Sequence, residues 1–173
     1  MKSLMIRNEL DIFELKMCDI QGRLFELAWD TGYDSLKFIE TFMKSEIASH
    51  LDMNYSFYQW AGEEYLLDEL AETSELTESK KFTGAAHDRE VMYWTGYIYR
   101  FWHYYTGEAS KAICRFAPPQ IVTGNYLMLH TMAPELAVET LKEIDESCSG
   151  QIPQAACPLD HNKQSHRVRH PGR

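Results

Sequence analysis

From Tyr93 to Tyr105 the chain reads Tyr93-Trp94-Thr95-Gly96-Tyr97-Ile98-Tyr99-Arg100-Phe101-Trp102-His103-Tyr104-Tyr105. Wound as an α-helix, this run carries aromatic rings on every face, and a helix that is apolar all round must be enclosed by neighbouring elements. It predicts a central helix over 88–105, capped by Asp88 and stopped at Gly107, with the tyrosine hydroxyls meeting polar groups at its edges. Gly96 costs about 1 kcal/mol against alanine in a helix interior, so something approaches closely there. A neighbouring helix would do, and so would a planar ligand stacked on Trp94, Tyr97 or Tyr99 and held by Arg100.

The rest of the chain supplies enclosing helices. Leu10, Phe13, Met17, Ile20, Leu24 and Leu27 recur every third or fourth residue, an amphipathic stripe over 8–29 with Asn8 as cap and Gly32 as stop. Leu36, Phe38, Ile39, Phe42, Met43 and Ile47 mark a second helix over 35–51, opened by Asp34 or Ser35 and antiparallel to the first because the loop between them is short. A third is expected over 57–70, with Trp60, Leu66, Leu67 and Leu70 buried in spite of Gly62. A polar connection over 71–86 leads into the aromatic helix. Beyond it come segments near 108–116, stopped by Pro118-Pro119, near 119–130, and near 134–146, opened by Pro134 with Glu135 in its first turn. These predict an all-α fold: a compact bundle of about six helices, one domain over 1–146, which 173 residues with 45% hydrophobic content support without metal or disulfide staples.

Past 146 the apolar period stops. Residues 147–173, with Gly150, Pro153, Pro158, Pro171 and Gly172, offer too little apolar surface to offset ordering entropy and are expected to form a disordered basic tail. Residues 146–173 hold four Lys/Arg against two acids, which leaves 13 basic and 24 acidic residues in the first 145 and a net charge of −11 there. Such a body repels phosphate backbones and favours a basic partner surface, so nucleic acid is not the expected partner. No apolar stretch reaches the roughly 20 residues of a bilayer crossing, and the start of the chain lacks the basic and apolar regions of a leader. Cys18, Cys114, Cys148 and Cys157 are too scattered for the framework of a small secreted scaffold. The expectation is a cytoplasmic protein with free thiols and no membrane contact.

Signatures of catalysis are missing. Gly107-Glu108-Ala109-Ser110-Lys111 lacks the phosphate-loop spacing, no Gly-x-Ser-x-Gly elbow occurs, and His50, His87, His103 and His130 are not paired at His-Glu-x-x-His spacing. Cys148, Cys157, His161, His166 and His170 are zinc-ligand types at no recognised spacing, so neither a metal nor another cofactor is expected. The acidic pairs Glu63-Glu64 and Asp68-Glu69 read as a solvated helix face. No residue is assigned a catalytic role. The candidates for binding a ligand or partner are Trp94, Tyr97, Tyr99, Arg100, Lys111 and His130.

The pattern Trp94-x-Gly96-Tyr97-x-Tyr99-Arg100-x-Trp102, followed by Ser110-Lys111, Tyr126 and His130-Thr131, resembles a family of small bacterial all-helical proteins encoded beside toxin–antitoxin or ADP-ribosyltransferase-like toxin modules. Phe38-Ile39 and Gln59-Trp60-Ala61-Gly62 fit the same pattern, and the resemblance covers about 34–143. The family has no assigned reaction. What it implies is an antitoxin-like or accessory role, in which a helical body covers or chaperones a protein partner such as a toxin. The expectation is therefore a non-enzymatic protein-binding module. The alternative is an enzyme or sensor with a ligand pocket lined by Trp94, Tyr97, Arg100, Lys111 and His130. The two separate on whether Arg100 and His130 converge on one concavity or bond only to neighbouring helices.

Overall fold

The computed structural model describes residues 9–78 and 86–149. Among them are nine α-helices, one 3-10 turn and no β-strand, an all-α fold as the aromatic run requires. The helices are α1 (Ile12–Thr31), α2 (Ser35–Lys44), α3 (Glu46–Leu51), α4 (Glu63–Thr73), α5 (Ala86–Thr106), α6 (Ser110–Phe116), α7 (Pro119–Gly124), α8 (Tyr126–Leu129) and α9 (Pro134–Ser149), with the 3-10 turn Phe57–Trp60 before α4. The tail is expected from 147, but α9 continues through Ser149; residues 150–173 lie outside the described residues, as do the side chains of the tail's zinc-ligand types and residues 79–85 of the polar connection. What is described of that connection returns to the α1–α2 turn, where Asp34 N–H donates to the Thr77 carbonyl at 2.8 Å.

Helix ends move where a capping side chain competes with the apolar period. α1 starts at Ile12 and not at Asn8 because Asp11 and Glu14 form a reciprocal capping box. Glu14 N–H donates to Asp11 Oδ1 at 2.8 Å, and Asp11 N–H donates to Glu14 Oε2 at 2.9 Å. The stop at Gly32 is as expected: its φ of 97° is left-handed, which glycine adopts without a Cβ penalty. The helix expected over 35–51 is instead two, because Ser45 is extended and its Oγ accepts the Ala48 N–H to cap α3. The helix expected over 57–70 is the 3-10 turn followed by α4, broken at extended Ala61 and Gly62. That break overturns one core assignment, since Trp60 is 82% exposed while Leu66, Leu67 and Leu70 are buried. Asp88 lies in the first turn of α5 and does not cap it, and the helix expected over 119–130 breaks at Asn125.

α5 is enclosed, as its sequence demands. Every residue from Met92 to Thr106 is buried or half-buried, with α1, α6, α7, α8 and α9 packed around the helix. α1 is its principal neighbour, and glycines let the two backbones touch. A Cβ at Gly96 would fall 2.5 Å from the Gln21 carbonyl oxygen, and one at Gly22 would fall 2.7 Å from the Tyr93 ring. The close approach inferred at Gly96 is thus that of a helix, and Gln21 Nε2 donates to the Gly96 carbonyl at 3.0 Å. Phe25 of α1 meets the rings of Phe38 and Phe42 of α2 edge-on at 5.4 and 5.3 Å. Two tyrosines satisfy their hydroxyls at the edges of α5, Tyr99 on the Ala117 carbonyl at 2.6 Å and Tyr93 on Asp19 Oδ1 at 2.7 Å. Cys18 and Cys114 are buried free thiols, and burial pushes their pKa values up to about 12 and about 11. No helix among the described residues is long and apolar enough to cross a membrane.

Candidate functional site

Arg100 lies inside α5 with none of its side chain exposed. Its Nε donates to Gln21 Oε1 of α1 at 2.8 Å, its Nη1 to Asp52 Oδ1 at 2.7 Å and its Nη2 to Ser110 Oγ at 3.3 Å. Asp52 ends α3, and its carboxylate also accepts the Ser110 N–H at 2.7 Å and the Ser110 hydroxyl at 2.6 Å. One carboxylate therefore receives both a guanidinium from α5 and the first N–H of α6. Hydrogen bonds compensate the charge on both sides, which is the condition for burying an ion pair without a large penalty.

His103 extends this cluster. Its Nδ1 lies 2.7 Å from the Glu108 carbonyl oxygen, and since a carbonyl only accepts, the neutral ring carries its proton on Nδ1. Burial, and then the Arg100 charge, lower the His103 pKa from its ordinary value, although Asp52 Oδ1 lies 3.5 Å away and opposes the shift. The Glu108 carboxylate in turn accepts the Trp102 indole N–H at 2.6 Å and the Thr106 hydroxyl at 2.9 Å. These polar groups are directed at one another. They form a clamp that joins α1, α3, α5 and α6.

The six candidate residues do not gather at one place. Tyr99 is buried against Ala117, and Arg100 is held in the clamp. Trp94 packs edge-on against Tyr126 of α8 at 5.6 Å, and the His130 ring stacks on the same Tyr126 at 4.4 Å, so these two share a neighbour. Tyr97 lies half-buried along α5 between Tyr93 and Phe101, and Lys111 is exposed on α6. Arg100 and His130 have separate partners, and each bonds to protein groups beside it. The residues that hold Arg100, namely Gln21, Asp52 and Ser110, lie 79, 48 and 10 positions away, and no spacing in the sequence ties them to it.

The unfilled surface is elsewhere. Between the start of α1 and residues 53–60 runs an open groove of about 780 Å³. Its walls are aromatic and stand in solvent: Phe13 is 37% exposed, Tyr55 96%, Phe57 72% and Trp60 82%. Phe13 and Trp60 meet with ring centroids 6.0 Å apart, and a second groove of about 270 Å³, lined also by Met17 and Ile20, shares that pair. Hydrogen bonds fix the segment that carries these rings. Ser56 and Gln59 form a capping box, the Gln59 amide also donates to the Met53 carbonyl, and the Tyr58 hydroxyl donates to Glu69 at 3.3 Å.

Among the described residues, the charged ones lining the larger groove are Asp11 and Glu14, the pair that caps α1. Tyr104 of α5 lines it as well, with its hydroxyl buried and without a hydrogen-bond partner. Burial pushes the pKa of that hydroxyl up to about 12. Among the described residues no group of three or more His, Cys, Asp or Glu is placed to hold a metal ion. Trp60 stands out in the sequence only as an apolar position of an expected helix, and the interruption at Gly62 is what turns it outward. No protein-family model, curated protein or solved structure matches this chain, and what the groove does is read from its geometry.

Proposed function

We propose that the protein is a non-enzymatic protein-binding module whose docking surface is the groove walled by Phe13, Tyr55, Phe57 and Trp60. One observation carries this reading: large aromatic side chains stand in solvent on a hydrogen-bonded segment, while those of α5 are enclosed. Contiguous exposed apolar surface at a groove marks interaction sites, and Trp and Tyr are the residue types that most often anchor them. A backbone already fixed by Ser56 and Gln59 lowers the ordering cost of association. The resemblance of the Trp94–His130 pattern directs the search for the partner to toxin-module proteins, with an antitoxin-like or accessory role for this chain.

The test is a pull-down of purified toxin-module proteins by the full chain, run beside Trp60→Ala/Phe57→Ser and Lys111→Ala/His130→Ala variants. A partner retained by the wild type and lost from the first variant is the expected result. Retention by the groove variant, or loss only from the second, overturns the assignment of the surface.

A further inference from the structure

We infer that a second copy of this chain covers the apolar corner where α8 leads into α9, a surface separate from the aromatic groove. The reasoning begins with the rule that encloses α5: a helix apolar on all sides has to be covered on all sides. Within one chain α8 breaks that rule. Tyr126 and Leu129 turn inward and are buried, yet Leu127 and Met128 between them stand in solvent. Met132 in the following turn and Leu136 in the first turn of α9 continue the outward face, and all four side chains are between 41% and 71% exposed. The inward residues account for the packing against the core, so the core does not require the outward four to be apolar.

The corner also lacks charge. Residues 116–134 hold no Asp, Glu, Lys or Arg, in a chain of which 25% of residues are charged. Gln120, Thr131 and Ala133 are nevertheless exposed there, positions at which solubility alone favours charged side chains. Glu90, bonded to the Tyr126 hydroxyl, and Glu135 stand at the rim. Cores of protein interfaces are depleted of charge and enriched in methionine, and interfaces between identical subunits are the more apolar ones. Met128 and Met132 are unbranched and adapt their packing to whatever faces them.

Charge also selects the occupant. The first 145 residues carry a net −11, so two copies repel each other across most of their surface. A two-fold contact sets the same patch of each copy against the other, and self-recognition by an acidic protein therefore needs a patch with no like charges at its centre. The α8–α9 corner meets that condition. Residues 150–173 start at the other end of α9, because Ser149 lies 13 positions beyond Leu136, about 20 Å along a helix axis.

Sedimentation equilibrium of the full chain over a wide concentration range is the test. The wild type should pass from monomer to dimer as concentration rises. Raised salt should tighten the association at least about threefold, by screening the acidic bodies from each other. Leu127→Glu/Leu136→Glu places like charges in the contact and should weaken it at least about tenfold. Its melting temperature should stay unchanged, because both side chains stand in solvent. Trp60→Ala/Phe57→Ser should leave the dimer intact. A photo-crosslinking residue at position 127 should join two chains, with the bond mapping to residues 120–136 of the second copy.

A monomer at every concentration overturns the inference, as does a dimer that Leu127→Glu/Leu136→Glu does not weaken. Should that variant lower the melting temperature, the crosslink decides alone. A crosslink within one chain to residues 150–173 would give the corner to the tail and overturn the second copy as occupant. Association lost from Trp60→Ala/Phe57→Ser would move the self-contact to the groove, and association that weakens as salt rises would show an ionic contact in place of an uncharged one.

Discussion

Two runs of this chain are dense in aromatic residues, 93–105 in α5 and 53–60 ahead of α4, and they take opposite positions. Phe101, Trp102 and Tyr105 are buried, whereas Tyr55, Phe57 and Trp60 stand in solvent. Aromatic content does not separate the two; backbone does. α5 is a continuous helix of 21 residues, long enough to be met on every face by another helix. The other run is a loop and a four-residue 3-10 turn, and such a short element cannot direct all its rings toward a common core. The polar residues follow the same division. Arg100 can be buried because α1, Asp52 and Ser110 all reach it. In the groove Asp11 and Glu14 bond to backbone N–H groups of α1 and its approach. Enclosed aromatic residues specify the fold, and exposed ones are available to a partner.

The contrast breaks most sharply at Arg100. Arg100→Met leaves the Asp52 carboxylate, only 12% exposed, without its counter-charge, and should lower stability by about 3–5 kcal/mol. Urea unfolding measures it, and adding Asp52→Asn should recover part of the loss. A loss below about 1 kcal/mol would show that the clamp does not hold the helices together. Gly96→Ala comes next. Alanine gains about 1 kcal/mol in an ordinary helix interior, but its Cβ here would meet the Gln21 carbonyl at 2.5 Å, and a net loss of about 2 kcal/mol is expected. A rise in melting temperature would mean that α1 and α5 separate easily.

Acidification should act on the same interior more gently. Folded His103 has a pKa below the ordinary 6.5, so the unfolded chain takes up its proton first as pH falls. Stability is lost as pH drops through 6.5 toward the lower folded-state pKa, and His103 contributes no further loss below that. His103→Gln should flatten the slope in this window when stability is measured against pH; an unchanged slope would assign the dependence to other groups. The smallest effect belongs to the surface. Trp60→Ala should change stability by no more than about 0.5 kcal/mol, while removing the fluorescence component most open to aqueous quenchers. A loss as large as that at Arg100 would erase the distinction between the two runs.

The fold was legible where period and length agreed. The helical period of 88–105 pointed to a central enclosed helix, and Gly32 ended α1 where a left-handed residue was needed. Boundaries were less legible because polar residues compete: Asp11 with Glu14 outranks Asn8 as a cap, and Ser45 divides a continuous apolar pattern by bonding its own neighbours. The site was legible only in its centre. Arg100 draws notice as a cation among aromatic residues, but Asp52, one residue past the helix end expected at 51, acquires meaning only through folding. Trp60 was misread because its seven-residue spacing to Leu67 fits one face of a helix, whereas the backbone is extended at Ala61 and Gly62.

Cys18 in α1 and Cys114 in α6 give the molecule two clocks. Each thiol is protonated and walled off, so a disulfide reagent reaches it only when the packing around it opens. The helices that carry them are tied through Arg100 by Gln21 on one side and Ser110 on the other. With Cys148 and Cys157 replaced by serine, equal labelling rates would mean that the bundle breathes as one body. Unequal rates would identify the helix that leaves first.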